Sequence, residues 1–281
     1  MDLSRNAAAG RPARSNLAVR LLTAGVAAPL ILLDIYLGPV GSFYAVVLCV
    51  TALAGWEFFQ MTHRDDLVAR SVGTALCCLV SWILWRYGDD SRALVTMLVL
   101  LPFAAIVLAL VRLGAIETAA ARMSATVFGP IWIGMLTCLA LLRRDLGRDG
   151  AGFVVLTLMY AWFADTGGYF AGRFFGRRKL YEAVSPKKTI EGLFGGLGGA
   201  ALGATLAHFW YLPRLALAEG VGLGLLLGAL GQAGDLGESL LKRSVGVKDS
   251  GEIVPGHGGI LDRVDALFVT SALVYVYTRW R

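Results

Sequence analysis

Apolar stretches long enough to cross a hydrocarbon core of ~30 Å follow one another along almost the whole of this chain. Nothing constrains the fold more. A backbone in lipid must satisfy its own hydrogen bonds, so consecutive spans of this kind read as helices. Only 16% of the 281 residues are charged and 57% are hydrophobic. A soluble domain carries roughly 25% charged residues, so a soluble domain with a single anchor is excluded. The expected class is all-α and polytopic, with about nine transmembrane helices and a cytoplasmic N-terminus.

The predicted helices are 20–38, 41–60, 71–86, 91–111, 125–142, 151–172, 192–211, 219–240 and 264–280. Residues 1–19 read as a mobile basic cytoplasmic tail, 20–150 as N-terminal membrane helices, and 151–281 as a C-terminal catalytic region with polar loops 173–191 and 241–263. The first apolar stretch reads as an uncleaved helix, since no convincing cleavage site follows it. With the N-terminus inside, the 26 Lys and Arg residues divide 18 to 8 in favour of the cytoplasmic segments. The same orientation puts both polar loops on one side. The four cysteines, Cys49, Cys77, Cys78 and Cys138, all lie in apolar stretches and read as small apolar side chains. Gly195, Gly199 and Gly203, with Gly224 and Gly228, repeat every four residues. In a membrane that spacing lets helix backbones approach closely.

Charges inside membrane helices usually face a polar cavity or a partner. Asp165, near the inner end of the sixth helix, is either an interfacial carboxylate paired with Arg173 or part of a site. Asp34 and Glu57 read as structural, because nothing in the sequence around them converges. Ser185-Pro186-Lys187-Lys188-Thr189 precedes the seventh helix, with Thr189 placed as its N-cap. Two lysines at a helix N-terminus suit phosphate, or equally anionic lipid headgroups. Further on, Asp235, Glu238, Ser239 and Lys242 share one helical face, and Asp262 and Asp265 share another. Asp235, Asp262 and Asp265 together would make a hard-oxygen site for Mg²⁺. Carboxylates among lysines and arginines suit phosphoryl or nucleotidyl transfer.

The run from Ser239 to Asp265 closely resembles the signature of the phosphatidate cytidylyltransferase family. It carries Ser239, Lys242-Arg243, Lys248-Asp249, Pro255, His257-Gly258-Gly259 and Asp262-Arg263-Val264-Asp265 in order. Gly234-Asp235-Leu236, the Ser185–Gly192 segment, and Asp165 with Gly168-Tyr169-Phe170 and Gly172-Arg173 resemble the family too. Val254 and Ala266 depart from it without removing a charged group. The resemblance implies an enzyme making CDP-diacylglycerol and pyrophosphate from CTP and phosphatidic acid. It also implies Mg²⁺, one ion or two, and a homodimer in the cell membrane, in bacteria the inner one. No nucleic-acid partner is expected. Asp235, Asp262 and Asp265 would be the metal ligands, acting in catalysis with Lys242 and Arg263. Ser185, Lys187, Lys188 and Thr189 would bind the triphosphate. Ser239, Lys248, Asp249, His257 and Asp165 would complete the substrate site.

Overall fold

A computed structural model describes Gly25, residues 28–251 and residues 258–281. The described chain is helical: α1 (Ala28–Leu37), α2 (Val40–Thr62), α3 (Leu67–Tyr87), α4 (Ser91–Val111), α5 (Ala119–Gly134), α6 (Thr137–Asp145), α7 (Gly150–Phe175), α8 (Ile190–Trp210), α9 (Leu217–Ser244) and α10 (Leu261–Trp280). Six stretches among the described residues have the length and apolarity to cross a membrane: α2, α3, α4, the combined Ile116–Asp145 segment, α8 and α9. The protein is an all-α, multi-pass membrane protein. α7 and α10 have the length, 26 and 20 residues, but carry the charges of the C-terminal motifs. The expected tail 1–19 lies outside the described residues, as does the start of the first predicted helix.

Two expectations need correction. The predicted helix 125–142 is broken between α5 and α6. At the break the Leu136 N–H reaches the Ile133 carbonyl at 3.1 Å and the Cys138 N–H reaches that of Met135 at 3.0 Å, so the turn tightens to three-residue closure. The predicted loop 173–191 is not a plain loop either. α7 runs on to Phe175, and an antiparallel hairpin follows, β1 (Lys179–Tyr181) with β2 (Ser185–Thr189), pairing Lys179 with Thr189 and Tyr181 with Ser185. Such a hairpin satisfies its own backbone at the polar end of the bundle, where a helix is not required.

The interhelical contacts sort the loops into two ends. At one end the Arg64 guanidinium donates to the Val245 carbonyl, and Arg112 pairs with Asp66 at 2.8 Å. Asp66 also caps α3 through the Ala69 N–H. At the other end Asp89 meets Arg279 at 2.7 Å, Asp149 meets Arg214 at 3.1 Å, and the Tyr275 hydroxyl donates to Asp145 at 2.9 Å. The described parts of both C-terminal polar loops lie toward the first end, where Val245 follows α9 and Lys188 of β2 pairs with Asp235 on the last part of α9.

The core runs between these ends through Phe58, Phe59, Ile133, Leu156, Tyr160, Leu227 and Phe268, all fully buried or nearly so. α7 packs mainly on α8, α8 on α9, and α9 on α10. The expected glycine contacts are present. A Cβ at Gly199 would run into the Phe163 carbonyl, one at Gly195 would lie 2.6 Å from the Gly167 oxygen, and one at Gly224 3.0 Å from the Ala200 oxygen. The α7–α8–α9 layer is therefore thin enough to bring motifs from three helices to one spot.

Candidate active site

The hairpin and α8 form the first wall. Thr189 is the N-cap of α8, its hydroxyl oxygen accepting the Gly192 N–H at 3.0 Å while its proton remains available to donate. Glu191 reaches back to the Arg177 N–H at 3.0 Å and so ties the entry of the hairpin to the helix. Gly172 and Gly176 let α7 pass close to this turn: a Cβ on either would stand 3.0–3.1 Å from Thr189. Lys187 and Lys188 project from β2 beside the same turn.

Here lies a cavity of about 420 Å³, lined by Asp165, Tyr169, Gly172, Arg173, Lys187, Lys188, Thr189, Gln232 and Asp235. That is within the range of ligand pockets, ~300–1,000 Å³. A larger cavity, about 1020 Å³, lies between α2, α4, α5 and the end of α9, but its lining includes none of the predicted site residues. The smaller cavity is the candidate site, because charges from three motifs converge on it. Asp165 sits in its wall and not on Arg173, whose guanidinium donates to the Tyr169 hydroxyl at 2.7 Å.

α9 supplies the second wall. Asp235 pairs with Lys188 at 2.5 Å, closing the cavity between the two signature segments. One turn on, Glu238 is fully buried, and neither of its carboxylate oxygens has a hydrogen-bond donor. The Lys242 ammonium stands 3.3 Å from one of them, an ion pair without hydrogen-bond alignment. Lys242 also donates to Asp262 at 2.6 Å. Asp262 further accepts the Ser250 N–H at 3.1 Å and the Gly259 N–H at 3.2 Å. Asp265, half-buried, accepts the N–H of Ala266 at 2.6 Å and faces both Glu238 and Asp235.

The other predicted residues are more dispersed. Arg263 is exposed on the first turn of α10, near enough to Asp165 to influence its charge. Ser185 is half-buried in β2, and Ser239 half-buried on α9. Lys248 and Asp249 are exposed beyond α9, and His257 lies outside the described residues. Sequence reasoning missed Gln232, which lines the cavity, and gave no site role to Glu238, which stands beside Lys242 and Asp265. Gln232 stands one helical turn before Asp235, a spacing that could have revealed it.

Among the described residues, no three carboxylate, histidine or cysteine side chains stand together as a finished metal site. Lysines divide the predicted trio, since Lys188 holds Asp235 and Lys242 holds Asp262. The donor chemistry nonetheless suits a hard cation. Buried Glu238 has two oxygens without a hydrogen-bond donor and faces Asp262 and Asp265, and carboxylates gathered this way are a donor set that a cation would neutralise.

A family model described as "Cytidylyltransferase family" matches residues 18–280. The chain belongs to the cytidylyltransferase family. A phosphatidate cytidylyltransferase of Brucella suis is 34% identical over 273 residues, which is 94% of this chain and 93% of that protein. Relatives of the same name match more strongly over shorter stretches. That of Synechocystis is 48% identical over 45% of the chain and 43% of its own length, and that of Bacillus subtilis 39% identical over 52% and 54%. For these two the match spans only about half of the relative.

Proposed function

We propose that this protein transfers CMP from CTP to phosphatidic acid at the cytoplasmic membrane face, giving CDP-diacylglycerol and pyrophosphate for phospholipid synthesis. The observation that carries the reading is one cavity at one end of the bundle, where Lys187, Lys188 and Thr189 on one wall meet Asp235 on the other. The Glu238–Lys242–Asp262 group stands behind it. The names of its relatives support the same chemistry.

The lipid phosphate, with a second pKa of ~6, is already largely ionised at neutral pH. One of its oxygens forms a bond to the α-phosphorus of CTP while the bond to the β-phosphate oxygen breaks, and pyrophosphate leaves with that electron pair. No strong general base is needed. The protein's task is to bring two polyanions together and to receive the leaving charge. Lys187 and Lys188 with the Thr189 hydroxyl hold the triphosphate at the start of α8, helped by Lys242 and Arg263. Asp235, Asp262 and Asp265, with Glu238, are the oxygen donors that would hold Mg²⁺, whose charge would offset that of the phosphates. Ser185, Ser239, Lys248, Asp249, His257 and Asp165 belong to the substrate site by the same reading.

The test uses purified protein in detergent with phosphatidic acid, Mg²⁺ and CTP labelled at the α- or the γ-phosphate. α-Label entering lipid with γ-label leaving as pyrophosphate is the expected result. γ-Label in lipid would instead show a lipid kinase, and movement of neither label would overturn the enzyme reading. The proposal extends to a homodimer, and a mass measurement showing one protomer per detergent micelle would refute that part.

A further inference from the structure

The carboxylate of Glu57 belongs to α2, about 200 residues before the signature, yet it sits inside the signature's loop. It is fully buried. One oxygen accepts the Ile260 N–H at 3.0 Å, and the other accepts the Leu261 N–H at 2.8 Å and the Ser250 hydroxyl at 3.2 Å. Ile260 is the N-cap of α10 and has no side-chain oxygen of its own to offer the helix. Glu57 therefore caps α10 from a distant helix, placing negative charge on the N–H groups of its N-cap residue and its first residue.

The loop is shaped to receive it. A Cβ at Gly259 would lie 2.5 Å from one Glu57 oxygen, and a Cβ at Gly251 2.7 Å from the other. From the opposite side Asp262 takes the Ser250 and Gly259 N–H groups. Ser250 and residues 259–261 are thus pinned together between two carboxylates. One of them, Asp262, is on the helix being positioned, and the other is anchored in the N-terminal half of the chain.

We infer that Glu57 is a positioning residue for the catalytic loop: it fixes the first turn of α10, and with it Asp262, Arg263 and Asp265, without touching substrate. The inference rests on the CMP-transfer reading of the site. Glu57→Gln keeps the shape but turns an NH₂ group toward donors that need an acceptor. A displacement of about 1 Å at reacting groups costs roughly 10²-fold in rate. The expected effect is therefore a fall in kcat of ~30- to 100-fold, with the KM for CTP changed less than ~3-fold. Ser250→Ala, which removes a single contact, should lower kcat by ~3- to 10-fold and serves if Glu57→Gln does not fold.

Two readouts separate the outcomes: the label-transfer kinetics above, and hydrogen–deuterium exchange of the amides at 259–261 in the full chain. Faster exchange at 259–261 together with a kcat-selective loss is the expected result. Wild-type kcat in the folded fraction of either variant would overturn the inference, as would unchanged exchange. A wild-type protein that protects these amides but moves no label would sink the CMP-transfer reading while leaving Glu57 as the clamp of the loop.

Discussion

At the scale of single residues, Lys242 is the side chain on which most of the site's charge depends. It is only 13% exposed, as is Asp262, and Glu238 is 1% exposed. Removing one partner of a buried ion pair leaves the other uncompensated, at a cost of about 3–5 kcal/mol. Lys242→Met is expected to be destabilised on this order and inactive, as a fall in the unfolding midpoint in detergent would show. The double variant Lys242→Met with Glu238→Gln should recover part of that loss, because it removes one of the stranded charges. A second expectation follows from a nucleophile that is already ionised. His257→Ala should keep kcat/KM within about tenfold of wild type, whereas Asp262→Asn should lose at least ~10²-fold, the scale of one misplaced or missing charged group. Steady-state assays of both variants would decide, and the reverse ranking would make His257 a base and sink the base-free account. The sequence revealed Asp235, Lys188, Lys242, Asp262 and Asp265 because each lies in a polar motif within an apolar chain. Glu57 was legible only as an expensive charge. Its partners Ser250, Ile260 and Leu261 are brought to it by tertiary packing, which local sequence does not encode.

At the scale of elements, glycine spacing was a sound guide to which helices meet. Its physical content shows in two neighbours on α8. At Gly198 an added Cβ meets nothing within 4 Å, while at Gly199 it collides with the Phe163 backbone of α7. Gly198→Ala should leave stability and activity unchanged. Gly199→Ala should push α7 from α8, with an overpacking cost of ~1–3 kcal/mol and reduced activity, since Asp165 rides on α7. Paired thermal unfolding and label-transfer assays test this. Equal behaviour of the two variants would show that the α7–α8 contact does not set the cavity. The hairpin was less legible. Lys179–Thr189 carries four basic or acidic residues in eleven and a proline, which reads as loop by composition. Its pairing depends on Glu191 and the α8 cap gathering both strands at the membrane boundary. The break at Met135–Leu136 was invisible because both halves are uniformly apolar, so hydropathy continues across it.

At the scale of the whole molecule, the proposed cytoplasmic placement of the site rests on where charge falls along the chain, and the fold makes that proposal testable. The contacts joining Arg64 to Val245 and Arg112 to Asp66 define one end, and those joining Asp89 to Arg279 and Asp149 to Arg214 define the other. The site end carries the larger share of Lys and Arg, which the positive-inside rule assigns to the cytoplasm. CTP is highly charged and does not cross lipid unaided, so a site facing outward would lack its nucleotide. In a variant with Cys49, Cys77, Cys78 and Cys138 replaced by serine or alanine, single cysteines can report each end. Lys179→Cys, on the exposed hairpin, should react with a membrane-impermeant maleimide in inverted vesicles and not in right-side-out ones. Arg214→Cys, at the opposite end, should do the reverse. Reaction of both from one side would break the two-ended arrangement of the loops. Exchange of the two patterns would turn the protein over, and a site on the outer face would undo the use of cytoplasmic CTP even if the purified enzyme moved the α-label.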